Sequence, residues 1–450
     1  MKTCYSIIND SRAEKNERLE ALRALTAEGA IADAAVTDEI NNHIHTIYSF
    51  SPYTPSMAAL RSREAGLSAA GSVDHDSIAA AEEMIGACEI LGLGTCVGFE
   101  VRVSFKTGGG GEPVPFAGRK INNPDSPGIV YMTVQGIPRR EFARVEAFLT
   151  PIRNRRLIRT RDMAAAAGVF LTEAGLEPLD FQRDIVDRSQ FDRGGEITER
   201  HLLAAVAEKF IAQYGRGSGI IKGLRAKLGV EPPLRIQNFL SDPGNPHYLF
   251  DLLGILKSAF LPRIFIQPGE EECIPAKTVC DFAAAAGGIP AYAYLGDVGE
   301  SPTGDKRAEK FEDDFLDELF AVLSGLGFRA VTYMPPRNTV EQLRRIQRLC
   351  AEWGLMEISG VDINSSRQSF NCPEVLTPPF RHLIDTTWAL IAHERLSSVN
   401  GNFGLFSAEN PLAAVPLETR LSLYAKAGRD PDLRRPEENA EKIIGRLLSF

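Results

Sequence analysis

Short runs rich in β-branched and apolar residues alternate with helix-length segments over residues 41–101, and the same alternation returns over residues 263–362. A chain with that rhythm folds into strand–helix–strand units, because parallel strands can be joined only by a crossover long enough to hold a helix. The pattern predicts strands at 42–46, 69–74, 95–101, 263–267, 289–295, 329–334 and 356–362. Helices are predicted near 56–64, 77–91, 276–286, 309–325 and 339–353; within the second, Ile78, Ala81, Ile85 and Cys88 recur at helical spacing. Seven such strands make an α/β sheet or barrel, whose ligands sit at the C-terminal strand ends.

The remaining segments divide the chain of 450 residues. Residues 1–40 read as a charged helical leader, 41–104 as the first half of the strand–helix array and 261–370 as its second half. Between them, over 105–260, the rhythm stops at the glycine run Gly108–Gly111, the Asn122–Asn123–Pro124 turn and an Arg-dense helix near 153–161. This predicts a large, mostly helical insertion that packs as its own layer. Residues 371–450 read as a helical extension.

Charge and composition exclude several classes of function. Fifty Lys and Arg against 59 Asp and Glu leave a net charge of −9, so the chain has no global attraction for a nucleic-acid polymer or an anionic membrane. The longest uncharged tract, between Asp281 and Asp297, is broken by Gly287, Gly288 and Pro290 and is too short to span a bilayer; it reads as a buried strand. Lys2, Asp10, Arg12, Glu14 and Lys15 leave no room for the apolar stretch of a signal peptide. Seven cysteines without a C-x-x-C pair indicate neither a disulfide framework nor a zinc ribbon, so a reducing cytoplasm is the expected location.

The chemistry is carried by polar residues at the predicted strand ends. Residues two apart on a strand point to one face, which pairs His43 with His45, Glu100 with Arg102, and Asp362 with Asn364. Asp74, His75 and Asp76 end the second strand just before a helix. Singly, each of these is an ordinary cap or turn residue. Jointly, imidazoles and carboxylates converging on one mouth make a nitrogen and oxygen site suited to Zn, Mn or Fe.

These residues resemble the motifs of the PHP (polymerase and histidinol phosphatase) superfamily, metal-dependent phosphoesterases built on a distorted seven-stranded β/α, TIM-like barrel. H-I-H-T-I-Y-S at 43–49 followed by Pro55 is similar to the first motif, V-D-H-D at 73–76 to the second and G-F-E at 98–100 to the third. G-G-I-P-A-Y-A-Y at 287–294 and the span 326–364 resemble later strands, so the likeness covers about 41–104 and 262–366. Three positions depart from it: Phe50 where an Asp is usual, Tyr294 where a His closes the fourth strand motif, and Asn364 where the closing motif ends in His. The resemblance implies that His43, His45, Glu100 and Asp362 hold a first metal, that Glu100 bridges to a second served by His75, and that Asp74 orients His75. Because Phe50 offers no donor, Asn364 only a neutral carbonyl oxygen and Tyr294 a phenol that ligates well only as phenolate, one or two ions are expected per chain.

The expected function is a metal-dependent hydrolase, foremost a phosphoesterase in which a metal-bound hydroxide attacks a small phosphorylated substrate. Arg102 and Arg367 would neutralise its nonbridging oxygens, with Arg102 also assisting catalysis, and His75 or Asp76 would relay a proton to the leaving group. Two other readings use the same residues: a C–N or C–O hydrolase of the amidohydrolase type, and a degenerate barrel that keeps one structural metal and binds without catalysis. The insertion is expected to cover the barrel mouth and to offer it at least one Arg, from Arg153, Arg155, Arg156, Arg159 and Arg161 or from Arg183 and Arg188. The five-arginine run reads equally as a solvated helix face, and His201, His247, His382 and His393 read as structural. No feature of the sequence speaks to oligomeric state.

Overall fold

In the computed structural model the described residues are 2–31, 35–299 and 309–449. Seven strands, β1 (Ile40–Ile44), β2 (Ala69–His75), β3 (Val97–Ser104), β4 (Ile129–Gln135), β5 (Ile289–Ala293), β6 (Ala330–Tyr333) and β7 (Met356–Ser359), form one sheet in the order of the chain. Neighbours are parallel except that β4 runs antiparallel to both β3 and β5. The sheet curls until β1 meets the chain beyond β7. There the Ile363 carbonyl accepts the His45 N–H at 2.9 Å, and the Ile363 N–H reaches the His43 carbonyl at 3.0 Å. The result is a nearly closed α/β barrel with a large helical insertion.

Side chains complete this sparse seam. The Asn41 amide donates to the Val361 carbonyl (3.0 Å) and the Asn42 amide to the Ser359 carbonyl (3.1 Å), so backbone groups lacking ladder partners are satisfied in a dry interior. Gly360 lets the strands approach: a Cβ there would stand 2.5 Å from the His43 nitrogen.

The helices before the insertion are α1 (Lys2–Ile8), α2 (Lys15–Ala27), α3 (Pro55–Glu64) and α4 (Ala81–Leu91). The insertion carries α5 (Phe142–Glu173), α6 (Phe181–Asp184), α7 (Glu199–Tyr214), α8 (Ser218–Leu228), α9 (Leu234–Ser241), α10 (Tyr248–Ala259) and α11 (Leu261–Ile264). The chain continues through α12 (Ala276–Ala285), α13 (Leu316–Leu326), α14 (Val340–Trp353), α15 (His382–Val399), α16 (Leu417–Gly428) and α17 (Pro436–Leu448). Local signals set several starts: Thr54 caps α3 with Pro55 at its first position, and Thr339 and Gln342 form a reciprocal capping box on α14.

Two apolar cores result. One fills the barrel and its outer helices, and the other gathers residues between Met163 and Ile264, with Phe50 packed against it from the barrel side. α15 closes the opposite end, where buried Glu394 accepts the Val97 N–H at 2.7 Å. No described helix is long and apolar enough to cross a membrane.

Some expected elements are corrected. Residues 263–267 form no strand: α11 runs through Ile264 and extended coil follows. The missing strand is β4, so the barrel sheet extends into the segment read as pure insertion. An antiparallel strand needs no crossover helix, which is why a search for strand–helix alternation passes over it. The uncharged tract before Asp297 is not one strand, since α12 extends to Ala285 before β5 begins at Ile289. Residues 301–308 lie outside the described residues; α13 itself begins at Leu316, later than the predicted start at 309.

Candidate metal centre

Strand alternation brings His43 and His45 to one face at the end of β1, and β2 and β3 add His75 and Glu100 in register beside each other. Glu100 is the hub. Its Oε2 lies 3.9 Å from His43 Nε2, 3.6 Å from His45 Nε2 and 3.0 Å from His75 Nδ1. Across the seam, Asp362 Oδ1 lies 3.4 Å from His45 Nε2. The five side chains expected as ligands therefore meet in one place.

The spacing tests whether a cation fits. Atoms about 2.1 Å from one ion in tetrahedral geometry stand about 3.4 Å apart. Contacts of 3.4–3.9 Å between imidazole nitrogens and carboxylate oxygens match that edge better than hydrogen bonds of about 2.9 Å. His43, His45 and Glu100 offer ligand atoms that all lie within 4.8 Å of one another. This nitrogen and oxygen set can hold a divalent metal ion.

Hydrogen bonds set the tautomer of His45. Asp74 Oδ1 accepts the Ser49 hydroxyl at 2.6 Å, and Ser49 Oγ lies 3.2 Å from His45 Nδ1. Because Ser49 gives its proton to a carboxylate, its oxygen accepts from Nδ1–H, which leaves the Nε2 lone pair facing Glu100 and Asp362. Asp74 also accepts from the Thr46 N–H and hydroxyl, both at 2.6 Å. It thus orders the β1 loop and, through Ser49, His45; this differs from the expected action on His75.

The electrostatics suit ligation. Burial, reinforced by neighbouring imidazoles, pushes His45 down to about 3, and burial with the field of Arg156 takes His75 to about 3, so both are neutral donors at physiological pH. Burial raises the Glu100 carboxyl, partly offset by His43 and His45. Burial works the same way on Asp362, but His45, His43 and Arg200 outweigh it and hold the carboxyl below its usual range.

The other expected site residues are placed as follows. Asp76 adopts φ 49°, which a short Asp side chain tolerates, and its Oδ2 lies 2.8 Å from Arg156 Nη1, while the buried Oδ1 has no hydrogen-bond partner. Arg102 is buried between Glu199 and Glu272, and Arg367 pairs with Asp251 while lying 3.8 Å over the Phe239 ring. Both guanidinium groups are therefore engaged by carboxylates. Asn364 donates from Nδ2 to Asp362 Oδ1 at 2.7 Å, which positions that carboxylate. Tyr294 donates to Asp313 at 2.6 Å, and its hydroxyl is pushed further up by burial and that carboxylate, away from the phenolate a metal needs.

The insertion reaches this end of the barrel. Ser77 donates to the Gly194 carbonyl, and the Glu196 N–H reaches the Tyr48 carbonyl, both at 2.6 Å. Arg153, Arg156 and Arg159 are buried rather than solvated, while Arg155 and Arg161 are exposed. Glu199 alone accepts from Arg102 (3.2 Å), Arg156 (2.9 Å) and Arg159 (2.6 Å). Arg183 and Arg188 pair instead with Asp184 and Glu208. Two nearby residues lacked a usable sequence signal. Tyr131 comes from the unexpected β4, its ring 5.9 Å from His75, and Arg200 from the first turn of α7.

No family model and no curated protein matches the chain. Among solved structures, it is similar to a protein from Bifidobacterium adolescentis provisionally described as a metal-dependent phosphoesterase, with 17% identity, 77% of this chain and 95% of that chain covered, and a TM-score of 0.48. It is also similar to an amidohydrolase from Chromobacterium violaceum with bound sulfate and no metal, at 18% identity, the same coverages and a TM-score of 0.46.

Proposed function

We propose that this protein is a cytoplasmic, divalent-metal-dependent phosphoesterase acting on a small phosphorylated molecule. The observation that supports it most is the convergence of His43, His45, His75, Glu100 and Asp362 at one end of the barrel, with His43, His45, Glu100 and Asp362 at separations suited to a shared cation. Zn, Mn or Fe, one or two ions per chain, would be held by His43, His45, Glu100 and Asp362, with Glu100 shared toward His75. A bound divalent ion lowers the pKa of water and polarises a phosphoryl oxygen.

The protein's own groups supply the rest. Ser49 and Asp74 keep His45 in the ligating tautomer, and Asn364 fixes Asp362. Asp76 is held by Arg156 through one oxygen while the other has no hydrogen-bond partner, so that second oxygen would take a proton from the attacking water and pass it to the leaving oxygen as the P–O ester bond breaks and the water oxygen bonds to phosphorus. His75 is the alternative relay. Buried Arg102 stabilises the carboxylates that anchor the insertion, and through them the walls of the site.

Phosphate release from a panel of phosphomonoesters and phosphodiesters, run beside amide and carboxylic-ester substrates with added Mn or Zn, tests this reading. Turnover confined to phosphoesters is expected. Turnover confined to amides or carboxylic esters would replace phosphorus by carbon as the reacting centre, and no turnover with tight metal binding would leave a non-catalytic metal protein.

A further inference from the structure

The arginines lining the boundary between barrel and insertion have carboxylate partners. Arg102 and Arg159 contact Glu199 and Glu272, Arg153 contacts Glu146, and Arg156 contacts Asp76 and Glu199. Arg200 differs from all of them. Among the described residues its guanidinium makes no ion pair or hydrogen bond, although it is half-buried.

Its position is nevertheless determined. Glu199, the preceding residue, is clamped by three arginines at the first turn of α7, and Thr198 and His201 cap that turn reciprocally. Arg200 therefore projects from an anchored turn, its guanidinium 5.6 Å from the centroid of the Phe50 ring. Phe50 directly follows Ser49, the residue that contacts His45 Nδ1. Phe50 sits at φ 72°, a conformation that costs a non-glycine residue about 1–2 kcal/mol. It is kept there by packing against His201 (4.9 Å between ring centroids) and Phe250 (6.0 Å).

The geometry points to Arg200 as an anion-binding arginine of the site, a cation that is carried on the Phe50 ring, one residue from the serine that contacts His45, and that takes a nonbridging oxygen of a phosphate group. Three considerations lead there. A desolvated guanidinium without a partner is costly, and burial does depress Arg200 below its ordinary range. The carboxylate whose field it feels is Asp362, itself a proposed metal ligand. Once Asp362 faces a cation, the charge that complements Arg200 has to arrive with the ligand, and a planar guanidinium suits phosphate oxygens.

The inference rests on the proposed function for the reaction, but the anion site can be tested without turnover. Metal-loaded, full-length protein is titrated calorimetrically with inorganic phosphate, and KM and kcat are then measured on any phosphoester it hydrolyses. Arg200→Met is expected to weaken phosphate binding roughly 10- to 100-fold, the loss of one charge-assisted hydrogen bond, and to raise KM more than it lowers kcat. Mn stoichiometry should not change, and thermal stability should hold or rise, because no partner is left unpaired. Arg200→Lys should be intermediate, and Arg155→Met, an exposed arginine on α5, should match the wild type.

Phosphate affinity within twofold of wild type in Arg200→Met, or no phosphate binding by metal-loaded wild type, would overturn the inference. Loss of folding in both Arg200→Met and Arg200→Gln would overturn it as well, by showing a structural role. Arg200-dependent phosphate binding without phosphoester hydrolysis would leave the anion site standing and remove the proposed reaction; hydrolysis with KM indifferent to Arg200 would do the reverse.

Discussion

His45 and Asp362 meet across the seam that closes the barrel, with Nε2 3.4 Å from Oδ1. One sits at the end of β1 and the other just beyond β7, so this contact exists only when the sheet curls round on itself. Closure of the barrel adds Asp362 to the donors that β1, β2 and β3 already bring together.

Because Ser49 sets the His45 tautomer, Ser49→Ala should weaken metal binding roughly 10- to 100-fold, the usual effect of losing a group that orients a ligand. Circular dichroism should be unchanged. Mn titration of the two proteins measures the difference; equal affinities would show that the imidazole orients itself.

The buried arginine network makes a stability prediction. Arg156→Met should destabilise the fold by ~3–5 kcal/mol in urea denaturation, because Asp76 and Glu199 lose a buried counter-charge. The exposed Arg155→Met should lie within ~0.5 kcal/mol of wild type. A similar small effect for both would mean that the network relaxes or admits water.

Glu394 sets a pH dependence at the end of the barrel opposite the candidate metal centre. Burial pushes its carboxyl from 4.5 up to about 8, against the pull of the Val97 N–H. The folded protein therefore keeps a proton that the unfolded chain has released, and this group makes stability fall as pH rises from about 4.5 to 8. Glu394→Gln keeps an acceptor for Val97 and should remove that slope, gaining on the order of a few kcal/mol at pH 8. Parallel denaturation curves at pH 6 and 8 read the difference; identical slopes would show that Glu394 ionises freely.

Asn364→Asp should place a second carboxylate against Asp362 in place of the amide that now donates to it. Without metal the variant should melt lower than wild type, and added Mn should raise its melting temperature by more. A metal-induced shift equal to that of wild type would deny Asn364 any contact with the ligand set.

The centre was legible in the sequence because period-two spacing forces His43 with His45 to one face, and the strand–helix rhythm puts such pairs at strand ends. What lay hidden was non-local. The arginines at 153, 156 and 159 share one helix stripe, but apart from Glu146 on the same helix the carboxylates that neutralise them come from Asp76, Glu199 and Glu272, which no local pattern pairs with them. Residues 129–135 carry Ile, Val, Tyr and Thr, a clear strand signal, yet an antiparallel strand did not fit the expected alternation. Residues 263–267 show the converse, a short apolar run that helix and strand share. Phe50 marked a lost donor; that its ring carries Arg200 and docks the insertion core depends on tertiary contacts alone.

If the donor cluster of His43, His45, Glu100 and Asp362 makes phosphoester hydrolysis metal-dependent, chelation followed by metal restoration must switch the activity off and on. Phosphate release should vanish when the wild-type protein is stripped of metal and return on adding Mn or Zn, while folded His45→Ala should stay inactive throughout. Phosphate release that survives thorough chelation, or that persists in His45→Ala, would show that the cluster holds no catalytic metal.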